Sequence, residues 1–157
     1  MIALAFGAAL LGLVIAIAAV DARRLIIPDG LNAMLALAGL AWQTVRPDGA
    51  PLVALVAGAA VFLALWAFAA GFRRLRGVTG LGFGDVKMAG AAALWVSPWN
   101  LPILFIAGCA AALVTVAVLG RTARAGRVPF GPFIGLGLLL TWGLERSGLP
   151  TLVPAVG

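Results

Sequence analysis

Histidine and tyrosine are absent from the 157-residue chain, and cysteine occurs only once, at Cys109. No imidazole can therefore act as a general base or bind a metal, and the chain cannot form an internal disulfide or a cysteine-based zinc site. Acidic residues are also scarce, because the chain has only five aspartate and glutamate side chains. Acid–base chemistry is left to carboxylates and lysine, and we expect no metal and no other cofactor.

Apolar side chains are abundant instead. Hydrophobic residues make up 64% of the chain, charged residues 10%, and the mean hydropathy is +1.16. Apolar runs of about 20 residues recur along the sequence, and a helix of this length crosses a bilayer. The sequence therefore predicts an all-α, polytopic membrane protein with about six transmembrane helices, embedded in the lipid bilayer as a single domain over residues 1–157.

Short polar stretches divide the chain into six apolar segments. Their approximate bounds are 1–20, 28–45, 51–72, 85–97, 101–119 and 133–144. The fourth segment is short for a full membrane span. The first segment has no basic residue before it and two arginines directly after it, which is the reverse of a cleaved signal peptide. We interpret it as a transmembrane helix whose N-terminus lies outside the cell.

The arginines alternate from loop to loop. The loops after segments one, three and five carry eight of them: Arg23, Arg24, Arg73, Arg74, Arg76, Arg121, Arg124 and Arg127. The loop after segment two and the C-terminal end carry one each, Arg46 and Arg146. Cytoplasmic loops are enriched in basic residues, so this pattern predicts that both termini lie outside and the three arginine-rich loops inside. The net charge of +6 thus reflects membrane topology, and we expect no nucleic acid as a partner.

Two aspartates lie at the predicted cytoplasmic boundary of the membrane. Asp21 closes segment one, and Asp85 opens segment four within a run of glycines. A carboxylate between apolar segments is costly in a membrane protein, which favours a function for Asp85. Two neighbouring carboxylates do not both ionise readily, so one can act as a general base on water while the other, protonated, donates to a carbonyl. The two residues are candidates for the catalytic pair of an aspartic protease.

Each acidic residue also has a simpler interpretation. Asp21 could form an interfacial ion pair with the arginines that follow it, and Asp85 could cap a helix N-terminus. Asp29 is the chief competitor of Asp21, although a negative charge also suits the start of a helix. Asp48 and Glu145 fall on the opposite side of the membrane, where we expect ordinary surface charges.

Residues close to Asp85 are candidates for shaping a site. Gly82 and Gly84 permit unusual backbone angles and the close approach of a peptide substrate. Lys87 is expected either to extend to the membrane interface or to tune the electrostatic field at Asp85.

Three motifs, in order along the chain, resemble those of the type IV prepilin peptidase family, the membrane aspartic proteases of the GxGD type. DARRLIIPDGLN at 21–32 is similar to the first aspartate motif of the family. GFGDVK at 82–87 fits its GxGDxK motif, and VPFGPF at 128–133 is similar to the segment before its last helix. The three motifs are spread over most of the chain.

The resemblance implies that Asp21 and Asp85 are the catalytic aspartates. It also implies cleavage of the short basic leader of type IV prepilin-like or pseudopilin precursors, after glycine and before a hydrophobic stem. The site would face the cytoplasm from the bacterial inner membrane. We expect a further set of residues to bind substrate or shape the site: Gly82, Gly84, Lys87, Pro129, Phe130, Gly131 and Pro132.

The chain departs from longer members of that family in one respect. Those members carry a cytoplasmic insert with paired, zinc-binding cysteines that is associated with methylation of the new pilin N-terminus. Here the loop between segments one and two is short and contains no cysteine, so we expect a minimal peptidase core without methyltransferase activity. Two other functions stay open: a small proton- or cation-coupled transporter or channel that uses Asp21 and Asp85, and a non-catalytic subunit of a pilus or secretion assembly.

Overall fold

The computed structural model describes residues 1–78, 80–119 and 128–147. Within these ranges the chain forms six α-helices and no strand, which confirms the all-α prediction. The helices are α1 Ile2–Arg24, α2 Asp29–Val45, α3 Pro51–Arg76, α4 Phe83–Ala93, α5 Leu101–Leu119 and α6 Gly131–Ser147. A 3-10 turn over Pro98–Asn100 precedes α5. The predicted cytoplasmic loop after segment five, with Arg121, Arg124 and Arg127, lies outside the described residues.

Among the described helices, three are long and apolar enough to cross a membrane. They are Ile2–Arg24, Pro51–Arg76 and Pro98–Val118, the last of which joins the 3-10 turn to α5. The other three helices, α2, α4 and α6, have 17, 11 and 17 residues. An 11-residue helix rises only about 16 Å, about half the thickness of the hydrocarbon core. The number of helices therefore agrees with the prediction, and three of the described helices have the length and composition of a full span.

The helices begin and end at local sequence signals. Leu25 ends α1 in the left-handed region, with φ 54°, and its N–H donates to the carbonyl oxygen of Asp21 at 2.8 Å. Pro51 is the first residue of α3, where the missing N–H of proline costs nothing. Gly77 ends α3 with φ 69°, a conformation that glycine adopts without a steric penalty. These signals place the polar connections at the ends of the apolar helices.

The short helix α4 lies at the centre of the bundle and contacts α2, α3 and α6. Residues 88–96 are all buried. An isolated helix as short as α4 would be only marginally stable. Two hydrogen bonds join the residues just after α4 to α2 and supply partners for buried polar groups. Trp95 Nε1 donates to the Leu35 carbonyl and Gln43 Nε2 donates to the Leu94 carbonyl, each at 2.9 Å. The position of α4 is thus fixed by neighbouring helices on several sides.

Glu145 is part of a polar cluster at one end of the bundle, which we call the far end. Its Oε1 accepts hydrogen bonds from the Ser97 N–H and the Asn100 Nδ2, both at 2.7 Å. Its Oε2 lies 3.6 Å from Arg46 Nη1, and its side chain is 8% exposed. The expectation of an ordinary surface charge is therefore wrong for Glu145, because the turn between α4 and α5 folds over the end of α6.

The opposite end of the bundle brings together the end of α1 and the starts of α2, α4 and α6. We call this the site end, because Asp21, Asp29, Asp85 and Gly131 all lie there. The antiparallel arrangement of neighbouring helices produces this juxtaposition, since the chain crosses the bundle twice between Asp21 and Asp85. Residues from distant parts of the sequence therefore share one end of the molecule.

Candidate active site

Asp21 is buried in the last turn of α1, with 4% of the residue exposed. Its Oδ2 accepts a hydrogen bond from the Gly131 N–H at 2.9 Å. Gly131 is the first residue of α6, where backbone N–H groups have no partner within the helix, so the carboxylate satisfies a donor that the helix leaves free. Asp21 is consequently bound by a helix start rather than by Arg23 or Arg24.

Asp85 lies in the first turn of α4, as the third residue of the helix. Gly82 is the N-cap, with extended backbone angles φ −69° and ψ 141°. The Asp85 carboxylate folds back over Gly82, since a Cβ added there would lie 2.7 Å from Oδ2. The interpretation of Asp85 as the N-cap is therefore wrong, because the N-cap is Gly82, three residues earlier. An acid at this position that bonds back to the capping residue forms half of a capping box.

Asp21 and Asp85 line the same cavity of about 300 Å³ at the site end. The loop between α1 and α2 and the start of α4 supply the rest of its wall: Leu25, Ile26, Ile27, Asp29, Gly82, Phe83, Gly84 and Lys87. Two carboxylates from separate helices thus face one space.

The pKa of Asp85, which lies outside the three candidate spans, is raised to about 6. Burial is the largest cause because it disfavours the charged form, and the nearby charge of Asp21 raises the pKa further. A hydrogen bond from the Gly82 backbone acts in the opposite direction. A carboxyl group with this pKa can hold a proton close to neutral pH, as a general acid must.

Asp29 and Lys87 form an ion pair at the edge of this cavity. The Lys87 Nζ lies 2.7 Å from Asp29 Oδ1 and 4.6 Å from the centroid of the Phe83 ring. The Asp29 side chain is 76% exposed, in contrast to buried Asp21. Lys87 thus links α4 to α2 instead of extending to solvent. The geometry favours Asp21 over Asp29 as the partner of Asp85, because Asp29 already has a counter-ion.

The predicted segment Pro129–Pro132 leads into α6 beside Asp21. Gly131 is buried, and a Cβ added to it would lie 2.8 Å from Asp21 Oδ2 and 3.2 Å from Ile27 Cδ1. Phe130 is partly buried against the hydrophobic core, with its ring centroid 6.3 Å from that of Phe133. The segment therefore contacts the site through its glycine, which no larger residue can replace without displacing Asp21.

Two contacts at the site were not anticipated from the sequence. Asn32 is 5% exposed, and its Nδ2 lies 3.4 Å from the Gly84 carbonyl, so it connects α2 to the start of α4. Ile27 is buried between Gly84 and Gly131 and separates the starts of α4 and α6. Asn32 is the last residue of the motif at 21–32. Its amide side chain, one helical turn after Asp29, was the feature of the sequence that could have indicated this contact. In the described part of the chain, no group of three His, Cys, Asp or Glu residues is placed to share a metal ion.

A model described as the type IV leader peptidase family matches residues 8–117. This range includes Asp21 and Asp85 and ends before Gly131. No solved structure matches the chain.

Several curated relatives are similar in sequence. A prepilin leader peptidase/N-methyltransferase of Burkholderia pseudomallei is 34% identical over 139 residues, which cover 85% of this chain and 43% of the relative. A protein of the same name from Klebsiella pneumoniae is 39% identical over 97 residues, 61% of this chain and 42% of the relative. The leader peptidase HopD of Escherichia coli is 32% identical over 136 residues, which cover 82% of this chain and 86% of HopD. The chain spans less than half the length of the first two relatives and most of the length of the third.

Proposed function

The chain belongs to the type IV leader peptidase family, and on that premise we propose that it is a membrane aspartic endopeptidase. Its substrates are type IV prepilin-like or pseudopilin precursors, from which it removes a short basic leader. The observation that carries this proposal is the shared cavity of Asp21 and Asp85, two carboxylates that reach one space from α1 and α4. The methyltransferase activity in the names of the longer relatives is not part of the proposal.

In the proposed reaction, Asp21 is the general base and Asp85 is the general acid. The Gly131 N–H holds Oδ2 of Asp21, and Oδ1 is the oxygen that takes a proton from water. The water oxygen attacks the scissile carbonyl carbon while Asp85 donates its proton to the carbonyl oxygen. As the tetrahedral intermediate collapses and the C–N bond breaks, the leaving amine takes from Asp21 the proton that came from water, and a hydroxyl proton of the intermediate returns to Asp85. The two carboxyl groups titrate as a coupled pair, so the pH profile belongs to both.

The assignment of Asp85 as the acid predicts a pH dependence. The pKa of Asp85 is about 6, so the fraction of free enzyme with Asp85 protonated falls as the pH rises through that value. We expect kcat/KM for precursor cleavage to fall by about tenfold per pH unit on the alkaline side, with a midpoint near 6. A profile that stays flat from about pH 5 to about pH 8 would contradict this assignment.

Asp29 offers a test of which carboxylates form the pair. Asp29→Asn removes one partner of an ion pair that is largely exposed, and such pairs contribute little. We expect Asp29→Asn to keep cleavage within about threefold of wild type. A loss as large as that of Asp21→Asn, measured at equal amounts of folded protein, would instead assign the second catalytic role to Asp29.

We propose that the site end faces the cytoplasm from the bacterial inner membrane. Five arginines occur in the last turns of α1 and α3, which end at the site end: Arg23, Arg24, Arg73, Arg74 and Arg76. Among the arginines that the structure describes, only Arg46 and Arg146 lie near the far end. This asymmetry supports the orientation, because basic residues are enriched on the cytoplasmic side.

The proposed function can be tested in a bacterial strain that lacks its own prepilin peptidase but makes a prepilin. Expression of this chain should convert the precursor to the mature form, seen as a shift to lower mass on a gel. Expression of the double variant Asp21→Asn/Asp85→Asn at the same level should leave the precursor uncut. The proposal would be overturned if the precursor stayed uncut although the wild-type chain and the precursor were both present in the membrane. The transporter and assembly alternatives are not favoured, because the two aspartates lie at helix ends and the family is one of peptidases.

A further inference from the structure

A second cavity, which we call the groove, adjoins the candidate active site. It has a volume of about 440 Å³ and lies between α2, α3 and α4. Asp29 and Lys87 line both the groove and the cavity that contains Asp21 and Asp85. The groove and the candidate active site therefore adjoin at this ion pair.

The groove extends from the site end toward the far end along α4. Its lining along α4 begins at Lys87 and ends at Leu94, the residue after the helix, and seven residues of α-helix rise about 10 Å. Most of the wall consists of small or apolar residues: Ala33, Ala36, Leu55, Gly58, Ala59, Phe62, Gly90 and Ala91. Beyond the ion pair, Asn32 is the only polar side chain among the described residues of the lining. A stripe of small residues lets another helix approach closely in lipid.

Small residues are required where α3 meets α4 at the base of the groove. A Cβ added to Gly58 would lie 2.9 Å from the Gly90 carbonyl oxygen, and one added to Gly90 would lie 3.0 Å from Phe62 Cβ. The glycines thus allow the two helices to touch beneath the groove. Ala33 and Ala59, by contrast, are exposed alanines on its walls, so their small size is not required by packing within the chain.

We propose that the groove binds the apolar helical stem that follows the scissile bond of the precursor. This inference rests on the proposed function, because it takes as given that a precursor is cut between Asp21 and Asp85. The apolar lining excludes the basic leader, whose lysines and arginines would lose their hydration there. The stem, in contrast, is an apolar helix that enters the groove directly from the cut, past the ion pair of Asp29 and Lys87.

Kinetics with two substrates test the groove. The first is a synthetic precursor with a lysine-rich leader ending in glycine and an apolar stem of about 20 residues; the second ends a few residues after the cut. Ala59→Phe fills the groove, and Ala60→Phe is the matched control, since Ala60 is the exposed neighbour outside it. We expect Ala59→Phe to raise the ratio of KM for the full precursor to KM for the short peptide by about tenfold, and Ala60→Phe to leave that ratio unchanged. An equal ratio in both variants would overturn the inference.

Cross-linking tests binding without cleavage. Cys109 is the single cysteine, so Cys109→Ala leaves a new cysteine as the only labelling position, and Asp85→Asn prevents cleavage. In this double variant a benzophenone is attached at Ala59→Cys or, as the control, at Ala60→Cys. We expect the Ala59→Cys protein to cross-link the full precursor several-fold more than the control, at residues of the stem. Equal yields, adducts on the leader, or adducts with lipid alone would overturn the inference. If wild type cuts no precursor but the Ala59→Cys protein still cross-links the stem more than the control does, the proposed reaction is wrong and the groove proposal stands. If wild type cuts the precursor and the two cysteine variants cross-link it equally, only the groove proposal is wrong.

Discussion

Asp21→Asn and Asp85→Asn are each expected to lower kcat/KM for precursor cleavage by at least about 1000-fold, the range that general acid–base groups supply. Asparagine keeps the size of each side chain but can neither accept the proton from water nor donate one to the carbonyl oxygen. The two residues share one cavity and act on the same peptide bond. The double variant should therefore be no slower than the slower single variant, because residues that act as a unit are not additive.

The control for these variants is Asp48→Asn. Asp48 is exposed in the turn after α2, at the far end, and its carboxylate should have no part in the reaction. All three variants should accumulate in membranes and elute from a sizing column as wild type does. The dyad assignment would be contradicted if Asp85→Asn kept more than about a tenth of wild-type kcat/KM while Asp48→Asn was unaffected.

Gly131→Val is expected to lower kcat by about 100-fold while reducing the amount of folded protein far less. The valine keeps the backbone N–H that binds Asp21, so any loss comes from the added side chain. Its Cβ would stand 2.8 Å from Asp21 Oδ2 and 3.2 Å from Ile27 Cδ1, both closer than ordinary contacts. Relief of this overlap requires the Asp21 carboxylate to move away from the position in which it faces Asp85.

Gly143→Val is the matched control, because Gly143 lies in the same helix and has no atom within 4 Å of an added Cβ. Protein amount in the membrane and kcat are both measured for the two variants. We expect Gly143→Val to match wild type in both. If Gly131→Val lost activity and protein in the same proportion, the glycine would serve the fold rather than the position of Asp21.

Much of the fold could be predicted from hydrophobic segments and helix breakers. The structure places α5 at Leu101–Leu119, as predicted, and starts α3 at Pro51. It extends α3 from the predicted end at 72 to Arg76, because arginine is a good helix former and suits the C-terminal end of the dipole. Hydropathy alone does not distinguish a lipid-facing span from a buried short helix, so the central position of α4 was not predicted.

The sequence predicted that Asp21 and Asp85 lie on the same side of the membrane, but it did not predict the contacts around them. Loop charges placed Asp21 and Asp85 on one side, since alternating topology follows from a count of arginines. The hydrogen bond from Gly131 to Asp21 and the ion pair of Lys87 with Asp29 join residues that are far apart in sequence. Such contacts depend on how helices rotate about their axes, which side-chain packing decides and a single sequence does not show.

The most direct test of the central claim is a mass spectrum of a synthetic prepilin-like precursor after incubation with the purified chain in lipid. We expect wild type to yield two products, the basic leader ending in glycine and the apolar stem with a new N-terminus. We expect Asp85→Asn to leave the precursor at its full mass. Cleavage by Asp85→Asn at the wild-type rate, or an intact precursor after incubation with folded wild type, would contradict an Asp21–Asp85 peptidase.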